Sequence, residues 1–417
     1  LEQEDKKFYV NGRVYLNWLP APSINFEAEM VDDVNIDMVI NKILGGSYRL
    51  TTRDGYSCSV MVTNIKYGDK FAVTGIVLNF IERPGSETHQ LVFSVVNFIN
   101  DFGSPIQHER TMYLGRSWFK YGAFRIVLDK QPDYKTKYDE LTKTGGYAIT
   151  HAGMIEHIEG ELFSYDEVAD LLESLMWLLS FASGRKVGIC SVHGYIGEEL
   201  VLERYQAPII FKWKKVNNWF PKTDPDSYLQ LQNVYPSLVK QLKDDLWGDV
   251  LKRTLSWYFD SNDARYVENK IVAVQIALET LAWTFLVEEH EIVARSVFDK
   301  KLRASDKLVR LLHELSIPQV LPDTGTFAAA QKFYENGPHL LTDFRNEIVH
   351  PSKKAKKNGQ TIAVPKHRVL ELGKQYLELS ILRILNYKGK YQNLLKEVQM
   401  VGETVENVPW CSKKSET

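Results

Sequence analysis

The sequence predicts an α+β protein: a β-rich N-terminal domain, built as an antiparallel sandwich or open barrel plus a helix and hairpin, followed by an all-α helical bundle. Three observations carry this. Residues 8–150 hold runs rich in Val, Ile, Tyr, Phe and Thr, separated by turn pairs. Residues 215–228, KVNNWFPKTDPDSY, break every periodicity with two prolines. From about residue 228 onward apolar residues recur at helical spacing. With 417 residues, 44% of them hydrophobic and 25% charged, the chain has the material for two or three cores and not the composition of a disordered one.

The strands are expected at Phe8–Leu19, Tyr56–Lys66, Lys70–Glu82, Gln90–Phe98 and Ala123–Leu128, with turns at Asp54-Gly55, Gly68-Asp69 and Pro84-Gly85. A helix then starts at the capping box Ser164–Glu167, where Ser164 caps the Glu167 N–H and Glu167 reaches back. It runs through Val168, Leu171, Leu172, Leu175, Met176, Leu178 and Leu179 to a C-capping Gly184. Strands at Lys186–His193 and Glu199–Gln206, joined around Gly194 and Gly197, complete the domain, and the helix packs on its sheet. The domain boundaries read as 1–215 β-rich, 216–228 linker, 229–402 helical and 403–417 polar, frayed tail.

In the helical part, Asp263 is the expected N-cap of a long helix. Its seam, Val267, Ile271, Val274, Leu278, Leu281 and Phe285, steps by four and three as in a bundle. Further helices are expected at Lys300–Leu315, Thr326–Glu335, Pro338–His350 and Val364–Tyr387. The longest apolar stretch, Ile271–Val287, is interrupted by Gln275, Glu279 and Thr280 and reads as a core helix rather than a membrane span. The first residues, LEQEDKK, are the opposite of a secretory signal. The chain begins with Leu, so its first residue is not expected to be the natural start. Cys58, Cys190 and Cys411 are odd in number and far apart, which argues against a disulfide framework or structural zinc and for a reducing cytoplasm.

Charge excludes one class outright. With 51 Lys and Arg against 53 Asp and Glu, the chain is no uniformly basic nucleic-acid binder. The balance is uneven, however. From residue 351 onward eleven Lys and two Arg face six Glu, a net +7, which leaves −9 for the first 350 residues. Lys353, Lys354, Lys356 and Lys357 form a run with no acidic neighbour, the electrostatic footprint of a local polyanion site.

That run follows the segment richest in chemistry, LTDFRNEIVHP at 341–351. Gly337-Pro338 starts a helix and Pro351 ends it. At ~100° per residue Asn346 and His350 share one face, and Arg345 lies ~140° from His350 with a side chain long enough to bend towards it. His350 falls at the helix C-terminus, where the dipole favours a cation. A guanidinium, an amide and an imidazole at one helix end are the groups needed to hold a phosphate and move a proton.

Arg345-Asn346-x-x-x-His350 resembles the short-spaced form of the Arg-[Asn/Asp/His]…His signature of HEPN domains, and DFRNEIVHP behind a β-rich region looks most like the Apea-like HEPN proteins of anti-phage abortive infection. The resemblance spans roughly residues 230–400. It implies a HEPN-type bundle acting as a metal-independent endoribonuclease without cofactors, in bacterial anti-phage defence. The substrate would be RNA, with tRNA one candidate, and cleavage would proceed by 2′-OH attack at a site composed across a homodimer of the C-terminal bundles. His350 would transfer the proton, Arg345 would stabilise the phosphorane and Asn346 would orient His350 or the phosphate, with Lys353, Lys354, Lys356 and Lys357 on RNA phosphates and Glu279 as a supporting residue. The N-terminal domain would be a sensor for a phage-derived trigger.

Other readings stand beside it: a HEPN bundle that binds nucleotides or a partner without cleaving, or a ligand-binding β module with a helical dimerisation domain. No GxSxG, Walker A, HExxH or Rossmann pattern competes. Arg49, Arg53 and Asp54 fit a solvated edge and a turn better than a ligand surface. Trp118, Trp177 and Trp283 are expected in the core, and His151, His157 and His193 lack metal-ligand spacing.

Overall fold

A computed structural model describes residues 1–3, 6–31, 44–68, 71–85, 87–323, 325–350, 364–396 and 402–411. They form two compact units: residues 1–100, 106–172 and 187–214, and residues 101–105, 173–186 and 215–417. The class is α+β, with an antiparallel β-sheet region followed by a helical one.

The first unit is built on one 14-stranded sheet. Its strands are β1 (Glu2–Gln3), β2 (Lys6–Lys7), β3 (Val10–Asn17), β4 (Ser23–Met30), β5 (Ser47–Thr51), β6 (Ser57–Lys66), β7 (Ala72–Arg83), β8 (Gln90–Val96), β9 (Ser104–His108), β10 (Thr111–Tyr121), β11 (Phe124–Lys130), β12 (Ile149–His157), β13 (Gly188–Ile196) and β14 (Glu199–Gln206), with helices α1 (Tyr134–Thr144) and α2 (Tyr165–Ser183) between them. The sheet is one hydrogen-bonded piece with a fork. The fork is β7, which pairs with β4 through Ala72–Ile76 and with β14 through Phe80–Arg83, and with β6 along its other edge. Period-2 alternation places Phe26, Val60, Val62 and Val73 of the first arm in one core. The second arm runs β14-β13-β8-β12-β11-β10-β9.

The capping box at α2 is half of the expected pattern: the Glu167 carboxylate accepts from the Ser164 N–H at 2.8 Å and from its hydroxyl at 2.9 Å. Gly184 takes the left-handed conformation, φ +66°, that ends the helix. The division between the units falls inside α2, so residues 173–186 group with the helical unit, where the sequence pattern assigns the whole helix to the first.

The second unit holds α3 (Ser227–Leu242), α4 (Trp247–Asp263), α5 (Val267–Trp283), a π-helical turn at Thr284–Glu289, α6 (Arg295–Lys300), α7 (Ala304–Glu314), α8 (Gly325–Ala328), α9 (Gly337–Val349), α10 (Lys366–Ile384) and a small ribbon of β15 (Lys390–Gln392) with β16 (Val405–Asn407). Asp263 closes α4 and is not the cap of α5, which starts after Tyr266 with no side-chain cap. The expected helix at 300–315 starts later, as α7 at Ala304, with Lys300 ending the preceding α6, and that at 326–335 shrinks to α8 and a 3-10 turn at Ala330–Lys332. Helix α5, with the π turn, is long and apolar enough to cross a membrane by length and composition. Its seam residues Ile271, Val274, Leu278 and Leu281 are buried, and it packs on α4 and α10.

Two expectations about the connecting segments are corrected. Residues 216–228, read as a linker, group with the second unit: Trp219 and Phe220 are fully buried, with Trp219 against Phe181 and Tyr387. Lys222 donates to the Val216 carbonyl at 3.0 Å, and burial lowers its pKa to about 8. Nor are residues 403–411 frayed. Val405–Asn407 pairs with Lys390–Gln392, and the Trp410 indole donates to the Tyr387 carbonyl at 2.6 Å. The interior also holds Glu378, 1% exposed, which accepts from the Tyr258 hydroxyl at 2.6 Å; burial pushes its carboxyl up to about 7.

Candidate functional site

Helix α9 carries the Arg345–His350 segment, and its start is fixed in three ways. The Asn336 side chain accepts from the His339 N–H at 3.0 Å. Pro338 sits in the first turn. Gly337 lies where any Cβ would stand 1.9 Å from the Tyr376 hydroxyl, so only glycine lets α10 approach this closely. The Gln319 carbonyl accepts from both the Gly337 N–H at 2.8 Å and the Tyr376 hydroxyl at 3.3 Å. Further along, Leu340 and Leu341 are buried, and Leu341 packs over Gly373 of α10 beside Val274 of α5. The apolar face thus fixes the helix, and Asp343, Asn346, Glu347 and His350 stay exposed.

At the C-terminal turn Asn346 contacts the Arg345 side chain, while its link to His350 is the ordinary backbone bond of the helix. Its side-chain oxygen accepts from an Arg345 Nη at 3.2 Å, and its carbonyl accepts from the His350 N–H at 2.7 Å. His350 is the last residue before the helix stops, at φ −127° and ψ 67°, and its ring is exposed. Arg345 is half-buried; its Nε is buried with no hydrogen-bond partner among the described residues. No Arg345 ion pair with Asp343 or Glu347 occurs among the described residues, although i,i+2 neighbours on a helix seldom face one another in any case. The guanidinium is therefore oriented by an amide and keeps most of its donors for another acceptor. Asp343 and Glu347 instead lie near the Tyr334 phenol, which burial and these two carboxylates push up to about 12. Although Asp343 reaches solvent, partial desolvation raises its carboxyl, against the pull of His339.

The remaining sequence candidates divide. Glu279 accepts from the Gln275 amide at 2.8 Å, one turn back on α5, an intrahelical role. Lys353, Lys354, Lys356 and Lys357 lie outside the described residues. The described cations beyond them are largely engaged. Lys366 pairs with Glu268, Arg368 with Glu371, Lys390 with Asp224 and Lys396 with Glu406, and Lys374 is buried on the Asn217 carbonyl. Among the described residues from 364 onward, the positive charge is thus no continuous basic face. In the first unit, Arg49, Arg53 and Asp54 are exposed, with Asp54 in the turn before β6. Trp177 is buried, whereas Trp118, expected in the core, is 38% exposed on β10. Cys58 and Cys190 are buried free thiols pushed up to about 11 by burial, and Cys411 is exposed.

Two polar groupings escape a linear reading. On neighbouring strands β7, β14 and β13, Arg83, Glu203 and His193 stand in register. Glu203 accepts from Tyr56 at 2.5 Å and from Tyr205 at 3.1 Å and pairs with Arg83 at 2.7 Å, while His193 meets the Tyr205 hydroxyl at 3.1 Å. These residues span almost 150 positions of sequence, and only strand order unites them. The second grouping lies at the head of α9, where Asn336 and His339 border a cleft with residues of α6 and α7.

Comparison with known proteins follows this anatomy. The model of the YopA central domain matches residues 83–216, the segment that starts at the end of β7 and contains β8–β14. That of the YopA C-terminal domain matches residues 244–406 and contains α9. The SPbeta prophage-derived uncharacterized protein YopA of Bacillus subtilis (strain 168) is 36% identical over 419 residues, covering 99% of this chain and 93% of the relative. No solved structure matches.

Proposed function

The chain belongs to the YopA family, and from the geometry of α9 we propose that it is a metal-independent endoribonuclease of the HEPN type, acting in the cytoplasm in anti-phage defence. One observation carries this reading: Arg345, Asn346 and His350 share the last turn of a helix, with the imidazole exposed, and the guanidinium held by the Asn346 amide and otherwise short of acceptors. An RNA phosphodiester supplies what that turn lacks. The ribose 2′-oxygen attacks phosphorus, the P–O5′ bond breaks, and a 2′,3′-cyclic phosphate and a 5′-hydroxyl result. His350 moves the proton, Arg345 stabilises the charge on the phosphorane oxygens, and Asn346 holds Arg345 in place.

One protomer offers a single His350, whereas in-line cleavage uses a base on one oxygen and an acid on the other. A homodimer through the helical units, with two α9 C-termini meeting, completes the site. Lys353, Lys354, Lys356 and Lys357 hold flanking phosphates of the RNA, tRNA among the candidates. The β-rich unit controls the activity in response to a phage-derived trigger; the prophage origin in the relative's name is in keeping with that setting.

The test is cleavage of total RNA and tRNA by the full chain in EDTA. His350→Ala and Arg345→Ala are each expected to lower the rate by ~10²-fold or more, the size of a lost general acid–base or charge-stabilising group. Cleavage that needs a divalent metal, or that survives both substitutions, overturns the reading. Toxicity on expression, relieved by either substitution, is the corresponding cellular result.

A further inference from the structure

The second arm of the sheet has one buried face and one open face. Phe119, Ile126, Ile155 and Leu91 pair across β10, β11, β12 and β8 and are at most 1% exposed. The adjacent row, on the other face, is Trp118, Val127, Met154 and Val92. It continues through His193 of β13 and Glu203 of β14 to Arg83 of β7. An antiparallel sheet ordinarily turns polar residues outwards on its open face. Here three half-buried aliphatic side chains join the exposed Trp118 indole to a polar cluster. From β10 to β13 is four strand spacings, ~19 Å.

The polar end is arranged to accept a hydrogen bond. Glu203 already takes the Tyr56 and Tyr205 hydroxyl protons and pairs with Arg83. A hydroxyl has one proton, so the Tyr205 oxygen, 3.1 Å from His193 Nε2, takes its hydrogen bond from the ring. In the neutral imidazole Nδ1 is then an acceptor, and it has no partner among the described residues. Charge on this face is largely cancelled. Arg116 holds Asp129 through two bonds of 2.7 and 2.5 Å, Arg125 pairs with Glu156, and Arg83 with Glu203. Of the charged residues flanking the row, Lys120, two positions past Trp118, is left without an ion pair among the described residues.

We propose that this row binds a neutral saccharide chain, laid across the strands with one sugar ring on Trp118 and a hydroxyl donating to His193 Nδ1. A pyranose offers an apolar C–H face to an aromatic platform and an aliphatic strip, and hydroxyls around its edge to a few fixed polar groups. A polyanion finds no cationic groove, since the guanidiniums beside the row are already paired with carboxylates. A peptide joins a sheet through main-chain groups at an edge, and β11, β12 and β8 are paired on both sides. All the row residues belong to the β-rich unit, so the site does not depend on the nuclease reading.

The experiment is calorimetric titration of the full chain with tetrasaccharides of glucose in α- and β-linkage, of mannose, of galactose and of N-acetylglucosamine. At least one is expected to bind with a Kd below about 1 mM. Trp118→Ala, which removes the platform, and Val127→Glu, which charges the strip, are each expected to weaken that binding about tenfold or more. His193→Phe, which keeps a ring and loses the acceptor, is expected to weaken it in the same direction. The double variant Arg345→Ala, His350→Ala is expected to bind the sugar as the wild type does, so sugar binding and RNA cleavage succeed or fail separately. No tetrasaccharide binding at millimolar concentration overturns the proposal. Dextran sulfate and reduced, carboxymethylated α-lactalbumin are the anionic and unfolded-peptide probes. Binding of either in place of the sugars, lost in Trp118→Ala, reassigns the face to a polyanion or a peptide. Sugar binding that Trp118→Ala and Val127→Glu both leave intact also overturns the proposal. If Val127→Glu melts early, Trp118→Ala decides alone, because the Trp118 side chain is exposed on the open face.

Discussion

At the residue scale, Glu378 shows what burial does to a single group. It is almost fully enclosed, its carboxylate accepts from Tyr258, and Lys374 lies near enough to oppose the desolvation without cancelling it. Its carboxyl therefore titrates at about 7, against an ordinary value of 4.5. The folded chain then binds a proton between these values that the unfolded chain releases. Stability is full below the unfolded value and falls as pH rises through about 7, by on the order of 3 kcal/mol. Glu378→Gln stays neutral and removes that component. Urea denaturation from pH 4.5 to 8 is expected to show the variant gaining on the wild type as pH rises, with little further change above pH 8. A difference that stays flat across the window rejects the assignment. Nothing in the sequence around ELGKQYLELS marks Glu378 as buried, because a glutamate on an amphipathic helix ordinarily faces water. Arg345, Asn346 and His350, by contrast, were legible: their spacing and the Pro351 stop define a helix end without any tertiary information. What spacing did not give is the direct bond from Arg345 to Asn346, which links neighbours in sequence and depends on the half-burial of the guanidinium.

At the element scale, α5 shows where a periodic pattern stops working. Steps of four and three lead from Val267 to Leu281, and the same rule names Phe285 as the next core residue. The helix changes to π geometry at Thr284. A wider turn advances the seam by one residue, so Leu286 is fully buried while Phe285 is only partly so and stacks edge-on against His290 at 4.3 Å. Leu286→Ala is therefore expected to cost about 2–5 kcal/mol in chemical denaturation, and Phe285→Ala about 1 kcal/mol. The opposite order would restore the unbroken seam. Other elements failed for related reasons. Helix α1 buries only Tyr138 and Leu141 in a polar segment, too little apolar signal to detect. Lys301–Arg303 interrupts a pattern whose apolar residues continue on both sides. The strands with clean alternation, β6, β7 and β8, were legible because half-burial on one sheet face imposes period 2 directly on the sequence.

At the scale of the whole molecule, the boundary between units is where local reading and packing part. Prolines and polar turn residues at 215–228 mark a break in periodicity, and the division between the units at 214/215 falls at its start. The segment itself is part of the helical unit and no spacer, since Trp219 and Phe220 are buried there. Its core also draws on the second half of α2. Trp177 stacks on Phe259 at 6.1 Å, Phe181 packs against Trp219 at 4.9 Å and Tyr258 at 5.6 Å, and Asn218 donates to the Phe181 and Ala182 carbonyls. Asn262 of α4 donates to the Gly184 carbonyl at 2.9 Å. Each large side chain buried there contributes roughly 1.5–3 kcal/mol, and a domain's whole stability is about 5–15 kcal/mol. A fragment starting at residue 216 therefore loses most of its margin, while a chain joining residues 173–186 to 215–417 through a short linker, without β13 and β14 of the first unit, keeps these contacts. Comparing this joined chain and the 216–417 fragment by near-UV circular dichroism and thermal melting, the joined chain is expected to melt cooperatively and the shorter to lack fixed aromatic packing. Equal melting of the two would place the boundary at 216 and make the α2 contacts dispensable. The same comparison bears on function, because α9 rests on α5 and α10, and α5 shares its packing with α4, which these contacts hold. RNA cleavage by the joined 173–186/215–417 chain alone would assign the chemistry to the helical unit and leave the β-rich unit its controlling role.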